Sequence, residues 1–317
     1  MSVLGRAAVA APVGLGLAAL GRPAYINLGR ADDLGRDRSR GELERRAHAV
    51  LDAAWDAGVR YFDAARSYGL AEAFLASWLA RHEHAAGTAT IGSKWGYTYT
   101  GKWRMNEPVQ ERKDLSVATF RRQLAETREL LGESLDLYQI HSATIESGVL
   151  DDGELLAELA ALRRTGVAVG VTVTGPRQAE TIERALEIGI FDTVQATWNL
   201  LERSAAAALQ RAHDAGLGVI VKEVLANGRL TIHGAEPALL AYARDHNLGP
   251  DAVAIAAAIS QPWSDVVLSG AVSPEMLASN LRALELVHDG GRPAVDLSQL
   301  CLDPDAYWLR RSRLPWR

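Results

Sequence analysis

The 317-residue chain is expected to fold as one α/β domain, a (β/α)8 barrel spanning residues 1–317. Three observations predict it. Apolar, strand-like runs recur eight times, near 12–18, 59–62, 89–93, 135–140, 167–173, 191–196, 217–222 and 265–269. Amphipathic helical stretches lie between most of them, at 43–57, 71–81, 116–131, 153–164, 176–188, 203–215, 235–246 and 273–287. Glycine tends to close a helical stretch before the next strand, as at Gly58, Gly132, Gly166, Gly189 and Gly216, where it takes the left-handed conformation of a helix C-cap. Eight strands alternating with helices favour a closed parallel barrel over an open sheet, and such a barrel typically needs about 250 residues.

The elements follow in order. Residues 7–20 follow Arg6 and have the apolar character of a signal peptide. Arg6 is the one basic residue ahead of them, Pro12, Gly14 and Gly16 interrupt the run, and it is too short to span a bilayer. A short hairpin leading into the first strand is expected instead. The second run ends at Asp63, the third at Lys94 and the fourth at His141, with Tyr68 five residues after Asp63. The connection 95–114 is long and carries Tyr97, Tyr99 and Trp103 besides Trp95, so it reads as a lid or binding loop. Residues 290–317 hold Cys301, Tyr307, Trp308, Trp316 and a cluster of arginines. They read as a tail with room for one helix, packed over the barrel or shaping one side of its mouth.

Composition narrows the function classes. With 48% hydrophobic and 23% charged residues the chain has ample material for a core. Lys plus Arg is 34 against 39 Asp plus Glu, a net charge of −5, which gives no electrostatic argument for nucleic acid or an anionic membrane. The single Cys301 excludes an internal disulfide and fits a reducing, cytoplasmic setting. His82 and His84 stand at i, i+2, which is no ligand pair on a helix face, and no other spacing suggests a metal. Nothing marks an oligomer interface.

Asp63, Tyr68, Lys94 and His141 carry the chemistry. Taken singly, each has a bland reading: a capping carboxylate, a packed aromatic, a paired lysine, a structural histidine. Together they follow three different strand ends, and in a parallel barrel these ends share one mouth. A tyrosine with a pKa of about 10 is a poor acid at neutral pH. A neighbouring ammonium, Lys94, favours its phenolate, and Asp63 holds Lys94 in place. His141 orients a carbonyl oxygen or joins the relay. A hydride would come from a cofactor, since no side chain is a practical source.

The stretch Gly58–Gly69, with Tyr61-Phe62-Asp63 and Ser67-Tyr68-Gly69, resembles the signature of the aldo-keto reductases. Ser93-Lys94 and Tyr138-Gln139-Ile140-His141 look like two further signatures of that family. The similarity continues through Gly170-Val171-Thr172, Val194-Gln195, Asn199–Arg203, Ser269-Gly270-Ala271 and Asn280-Leu281, nearly the whole chain in order. The resemblance implies Tyr68 as general acid, Lys94 and Asp63 as its tuning pair and His141 as the carbonyl-orienting residue. It also implies a nicotinamide dinucleotide extended across the mouth without a Gly-rich dinucleotide fold, and no strand-to-helix G-x-G-x-x-G is present. Its contacts would be Thr172, Gln195, Lys222, Leu225, Gly270 and Asn280.

Three segments depart from the family pattern. Thr172-Val173 stands where Ser-Asn usually holds the carboxamide. Val221-Lys222-Glu223-Val224-Leu225 has no aromatic to stack on the nicotinamide. Lys222 either lies with its stem against an apolar face and pairs with Glu223 or another carboxylate, or projects into the mouth toward phosphate or substrate. In Ser269–Met276, Val272 and Met276 stand where NADPH-preferring relatives offer a basic residue, and Arg282 lies further on. Family habit puts NADPH first and NADH second. For the substrate, Tyr25, Trp95 and Trp198 are the candidate wall residues, with Tyr97, Trp103 and a C-terminal Trp308 or Trp316 as further candidates. They suit a hydrophobic or sugar-like small-molecule carbonyl compound. The expected activity is reduction of an aldehyde or ketone to an alcohol. Two other readings stay open: a cofactor-binding or sensor barrel with vestigial catalysis, and a non-redox lyase or epimerase using the tetrad plus Lys222 and Glu223.

Overall fold

The eight apolar runs become the staves of one closed parallel barrel in the computed structural model, which describes residue 4 and residues 10–28, 33–234, 236–288 and 297–316. The staves are β1 (Val13–Gly16), β2 (Tyr61–Asp63), β3 (Thr90–Trp95), β6 (Leu137–Ala143), β7 (Ala168–Val173), β8 (Thr193–Thr197), β9 (Gly218–Lys222) and β10 (Val266–Ser269). They pair in this order around the ring, and β10 closes on β1. The two remaining strands, β4 (Tyr97–Tyr99) and β5 (Glu111–Lys113), form an antiparallel ribbon inside the connection 95–114. That segment was expected as a loop, but its alternating Tyr-Thr-Tyr pairs with Glu-Arg-Lys. The described part of residues 7–20 includes β1 followed by a turn over 18–20; residues 7–9, where the hairpin leading into the strand was expected to begin, lie outside the described residues.

Helices cover the outside of the barrel, and several start at a side-chain cap. Ser39 opens α1 (Arg40–Asp56), Ser116 opens α3 (Val117–Leu131) and Asp152 opens α4 (Gly153–Arg164), each accepting a backbone N–H from the first turn. Between them runs α2 (Ala71–Arg81). Then come α5 (Gln178–Ile188), α6 (Ala206–Asp214) and α7 (Pro237–Asp245). One helix was missed by periodicity, α8 (Pro250–Ile259). Ala252 to Ile259 are all buried, so the helix is apolar all round and has no 3.6-residue stripe to detect. After it come α9 (Pro274–Leu281), α10 (Ala283–His288) and, in the tail, α11 (Pro304–Ser312).

The barrel interior is a plug of its own. Leu4, Tyr61, Leu137, Ile220, Val266 and Leu268 form a cluster apart from the main core between barrel and helices. Tyr61 fills the middle because two neighbouring staves carry glycine: a Cβ on Gly14 would sit 2.8 Å from its ring, and one on Gly92 2.5 Å from its hydroxyl. Above this plug the next inward-pointing residues are polar, and they form the floor of the mouth.

Candidate active site at the barrel mouth

Strand alternation sends successive side chains to opposite faces. Tyr61 points inward, so Asp63 does too, one layer higher. The same parity carries Leu137 to Gln139 and His141, Thr193 to Gln195, and Ile220 to Lys222. Asp63 is 2% and Lys94 1% exposed, so neither charge is tolerable alone. They form a buried ion pair through Asp63 Oδ2 and Lys94 Nζ. Lys94 Nζ also donates to Ala64 O at 2.9 Å and to Tyr68 Oη at 3.4 Å, which uses all three of its protons. Asp63 Oδ1 accepts from Tyr61 Oη at 3.0 Å, Gln195 Nε2 at 3.1 Å and Gln139 Nε2 at 3.5 Å. Tyr68 Oη lies 3.5 Å from His141 Nε2, and the two rings meet edge to face at 5.4 Å. All four predicted catalytic residues therefore converge.

The electrostatics refine the expected tuning. Burial, with Asp63 adding to it, pushes the Tyr68 phenol well above its ordinary value, and Arg22 pulls the other way. Net lowering by Lys94 was expected, and desolvation outweighs it: Tyr68 stays protonated, the state a proton donor requires. Burial holds the Lys94 ammonium below its ordinary value, while Asp63 opposes the shift. Burial first, then the charges of Lys94 and Lys222, hold His141 well below the ordinary histidine value, so its imidazole is neutral at pH 7.

The turn that presents Tyr68 is clamped by Arg22 and Gly21. Arg22 Nη1 donates to Ser67 O at 3.0 Å and to Glu111 Oε2 at 2.8 Å. Its guanidinium lies 5.3 Å from the Tyr68 ring centroid, 5.1 Å from Tyr25 and 4.7 Å from Trp316. Leu70 N donates to Gly21 O at 2.7 Å, and a Cβ on Gly21 would stand 2.2 Å from Tyr68 O and 2.5 Å from Ala71 Cβ. Backbone cannot yield cheaply there. A Gly21→Ala variant is expected to lose about 1–3 kcal/mol of stability and to misplace Tyr68. Urea melts together with kcat check this, and a variant as stable and active as the parent would refute the clamp.

A cavity of about 680 Å³ opens above the tetrad. Tyr25, Asp63, Tyr68, Tyr97, His141, Gln195, Lys222, Leu225, Gly270, Asn280 and Trp316 line it, as does the Arg22–Glu111 pair. Several sequence expectations fail here. Trp95 is fully buried and packs edge to face on Phe120 at 5.1 Å: with Lys94 pointing in, its neighbour must point out. Trp198 is buried against Trp263 at 5.8 Å, outside the cavity wall. Thr172 is fully buried below the cavity, and its Oγ1 accepts the Ser142 N–H at 2.7 Å. Thr174, with the same parity one layer higher, lines the wall instead. Trp103 caps the Arg38 carbonyl at 2.8 Å and Trp308 is buried, neither of them in the wall. Gln195 lies in the wall, but its amide N–H is committed to Asp63.

Sequence reasoning did not single out Arg22, Glu111, Arg311 or Asp251, which also line the cavity. They come from the turn after β1, from β5, from the first turn of α8 and from the tail helix, none of them a barrel stave whose register announces direction. The Lys222–Glu223 question resolves clearly. Glu223 takes a left-handed backbone, φ 53°, and its carboxylate grips Arg311 of α11 through Nε at 2.8 and 3.0 Å and through Nη2. Lys222 turns into the cavity and donates to Thr197 Oγ1 at 3.1 Å. The tail thus shapes one side of the mouth, as expected.

A closed parallel barrel with a Tyr–Lys–Asp–His cluster at its mouth defines a class of oxidoreductase barrels, and comparison with known proteins agrees. Residues 33–290 match the Aldo/keto reductase family; the chain belongs to that family. It is 28% identical over 238 residues to D-threo-aldose 1-dehydrogenase from a Pseudomonas species, covering 70% of each chain. It is 26% identical over 301 residues to protein tas of Escherichia coli, covering 77% of this chain and 86% of that one. A solved aldo-keto reductase structure from Pseudomonas aeruginosa superposes with a TM-score of 0.63 at 26% identity, over 87% of this chain and 90% of that one. One from Bacillus halodurans superposes with a TM-score of 0.64 over 95% and 91%, at 19% identity, a likeness of fold.

Proposed function

We propose that the protein reduces an aldehyde or ketone to an alcohol with a nicotinamide dinucleotide, Tyr68 acting as general acid. The observation that carries this reading is the position of Tyr68 Oη, 3.4 Å from Lys94 Nζ and 3.5 Å from His141 Nε2 at the floor of the cavity. A carbonyl oxygen seated between Tyr68 and the neutral His141 meets two hydrogen-bond donors when Nε2 carries the imidazole proton. As negative charge develops on that oxygen, the Tyr68 proton moves to it. Lys94, already held by Asp63 and the Ala64 carbonyl, stabilises the charge left on the phenol. The buried floor, where Asp63 and Lys94 are almost fully covered, limits competition by bulk water. A reduced nicotinamide supplies the hydride when bound. In the reverse direction Tyr68 takes the proton back from an alcohol, a direction supported by the name of the Pseudomonas dehydrogenase.

The chain's own residues fit such a cofactor. Leu225, Gly270 and Asn280 line the cavity away from the tetrad, and a Cβ on Gly270 would meet open space. At that end the wall also includes Asp251, Met276 and Ser279. Asp251 accepts from Asn280 Nδ2 at 2.7 Å. Among the described residues no Lys or Arg lines this end, and Arg282 is engaged by Glu285 and the Asn247 carbonyl. A carboxylate whose neighbouring cation, Arg282, is already held elsewhere disfavours a 2′-phosphate. The order suggested by family habit, NADPH before NADH, is therefore expected to reverse. NADH should bind about tenfold more tightly, the ratio that about 1.4 kcal/mol produces. Quenching of the tryptophans during titration with each dinucleotide tests both points. Tighter NADPH would refute the role of Asp251, and no binding of either up to millimolar would sink the reductase reading.

A further inference from the structure

Among the described residues, each Lys or Arg lining the cavity has a carboxylate partner except one. Arg22 pairs with Glu111 and Arg311 with Glu223, and beneath the cavity Lys94 pairs with Asp63. Lys222 sits in the same wall, and its hydrogen bond goes to a hydroxyl, Thr197 Oγ1. Among the described residues no carboxylate lies within ion-pair distance of its amine. The nearest candidate is turned away by construction. The left-handed backbone at Glu223 points that carboxylate toward α11, where Arg311 holds it with two nitrogens. A half-buried ammonium with no carboxylate in direct contact is costly, and Glu223, the acid beside it, acts on it without touching it because Arg311 holds its carboxylate.

We propose that Lys222 anchors an anionic group on the substrate, so that the protein acts on carbonyl compounds bearing a carboxylate. This rests on the reductase reading above and names its substrate class. The carboxylate is not transformed: it seats against the Lys222 amine while the carbonyl oxygen of the same molecule reaches Tyr68 and His141 across the cavity. Burial lowers the Lys222 amine most; four charged groups also act on it, Glu223 and Asp63 favouring its charge and Arg311 and Lys94 opposing it, and Lys222 in turn helps hold His141 neutral. The balance brings the amine down to about 8. It is charged at pH 7, and anion affinity is expected to fall as the pH rises through about 8.

Two experiments test this. In the first, benzoate and benzamide are titrated into the ligand-free protein, following Trp fluorescence. Benzoate is expected to bind at pH 7, to bind at least tenfold more weakly at pH 9.5, and to lose its advantage over benzamide in Lys222→Met while keeping it in Lys222→Arg. Arg311→Met frees Glu223 to pair with Lys222 and should cut benzoate affinity likewise. Equal binding of benzoate and benzamide by the parent overturns the proposal whether or not the protein is a reductase. In the second, kcat/KM is compared for 4-carboxybenzaldehyde and 4-methylbenzaldehyde. The parent should prefer the acid at least tenfold, and Lys222→Met should abolish that ratio through KM. A Lys222→Met variant that keeps the ratio but binds the dinucleotide more weakly would show that the amine serves a cofactor phosphate, and the proposal would fall. Absence of turnover with benzoate binding intact would sink the reductase reading alone.

Discussion

A Tyr68→Phe variant is expected to lose carbonyl turnover by about 10³-fold, within the range for removal of a positioned general acid, and to keep its fold. The ring stays packed: its edge-to-face contact with His141 and its place over Arg22 need no hydroxyl. What disappears is the one O–H that faces both Lys94 and His141. Burial already holds this phenol above its ordinary value, so the parent carries the proton throughout the neutral range. Its activity should be nearly flat from pH 6 to 8 as far as Tyr68 and His141 are concerned, since the imidazole stays neutral there. Single-turnover kinetics separate this loss from cofactor binding, and a thermal melt reports the fold. Full activity in Tyr68→Phe would refute the proton-transfer assignment.

The second large effect is on stability. Lys94→Met leaves Asp63 buried with three neutral donors and no cation, and breaking a buried pair in this way costs about 3–5 kcal/mol. Nothing in the variant offsets the burial of that charge. Asp63→Asn strands the ammonium instead, and its penalty is relieved at high pH. Joined in one chain, the two substitutions should recover much of the stability, because neither charge is left unpaired, while activity stays lost. Urea unfolding at pH 5 and pH 8 distinguishes these cases. Single variants as stable as the parent would mean that the pair does not carry the buried charge as described.

The barrel and the convergence of Asp63, Lys94 and His141 were legible because both follow from parity and register, and Tyr68 from its spacing after Asp63. Inward-pointing residues in a parallel stave recur every second position, and their last members before the loop must share one mouth. The same rule, applied one residue further, would have excluded Trp95, which alternates outward from Lys94 onto Phe120. Thr172 erred by one layer: its parity is right, but the cavity begins at Thr174. Trp198 lies beyond the end of β8, where alternation stops giving direction. The helix 250–259 was hidden for the opposite reason, since burial on every side erases the periodic signal.

By itself, then, the order of residues determined the barrel, its strand ends and the identities of Asp63, Tyr68, Lys94 and His141, because each depends on local periodicity repeated along the chain. Only the tertiary structure decided how the mouth is charged. Arg22 meets Glu111 across 89 residues, and Arg311 meets Glu223 across 88. No pattern of nearby residues encodes such contacts, yet they settle which cations are neutralised. Lys222 carries a charge into the cavity because a helix near the far end of the chain has already claimed its neighbour.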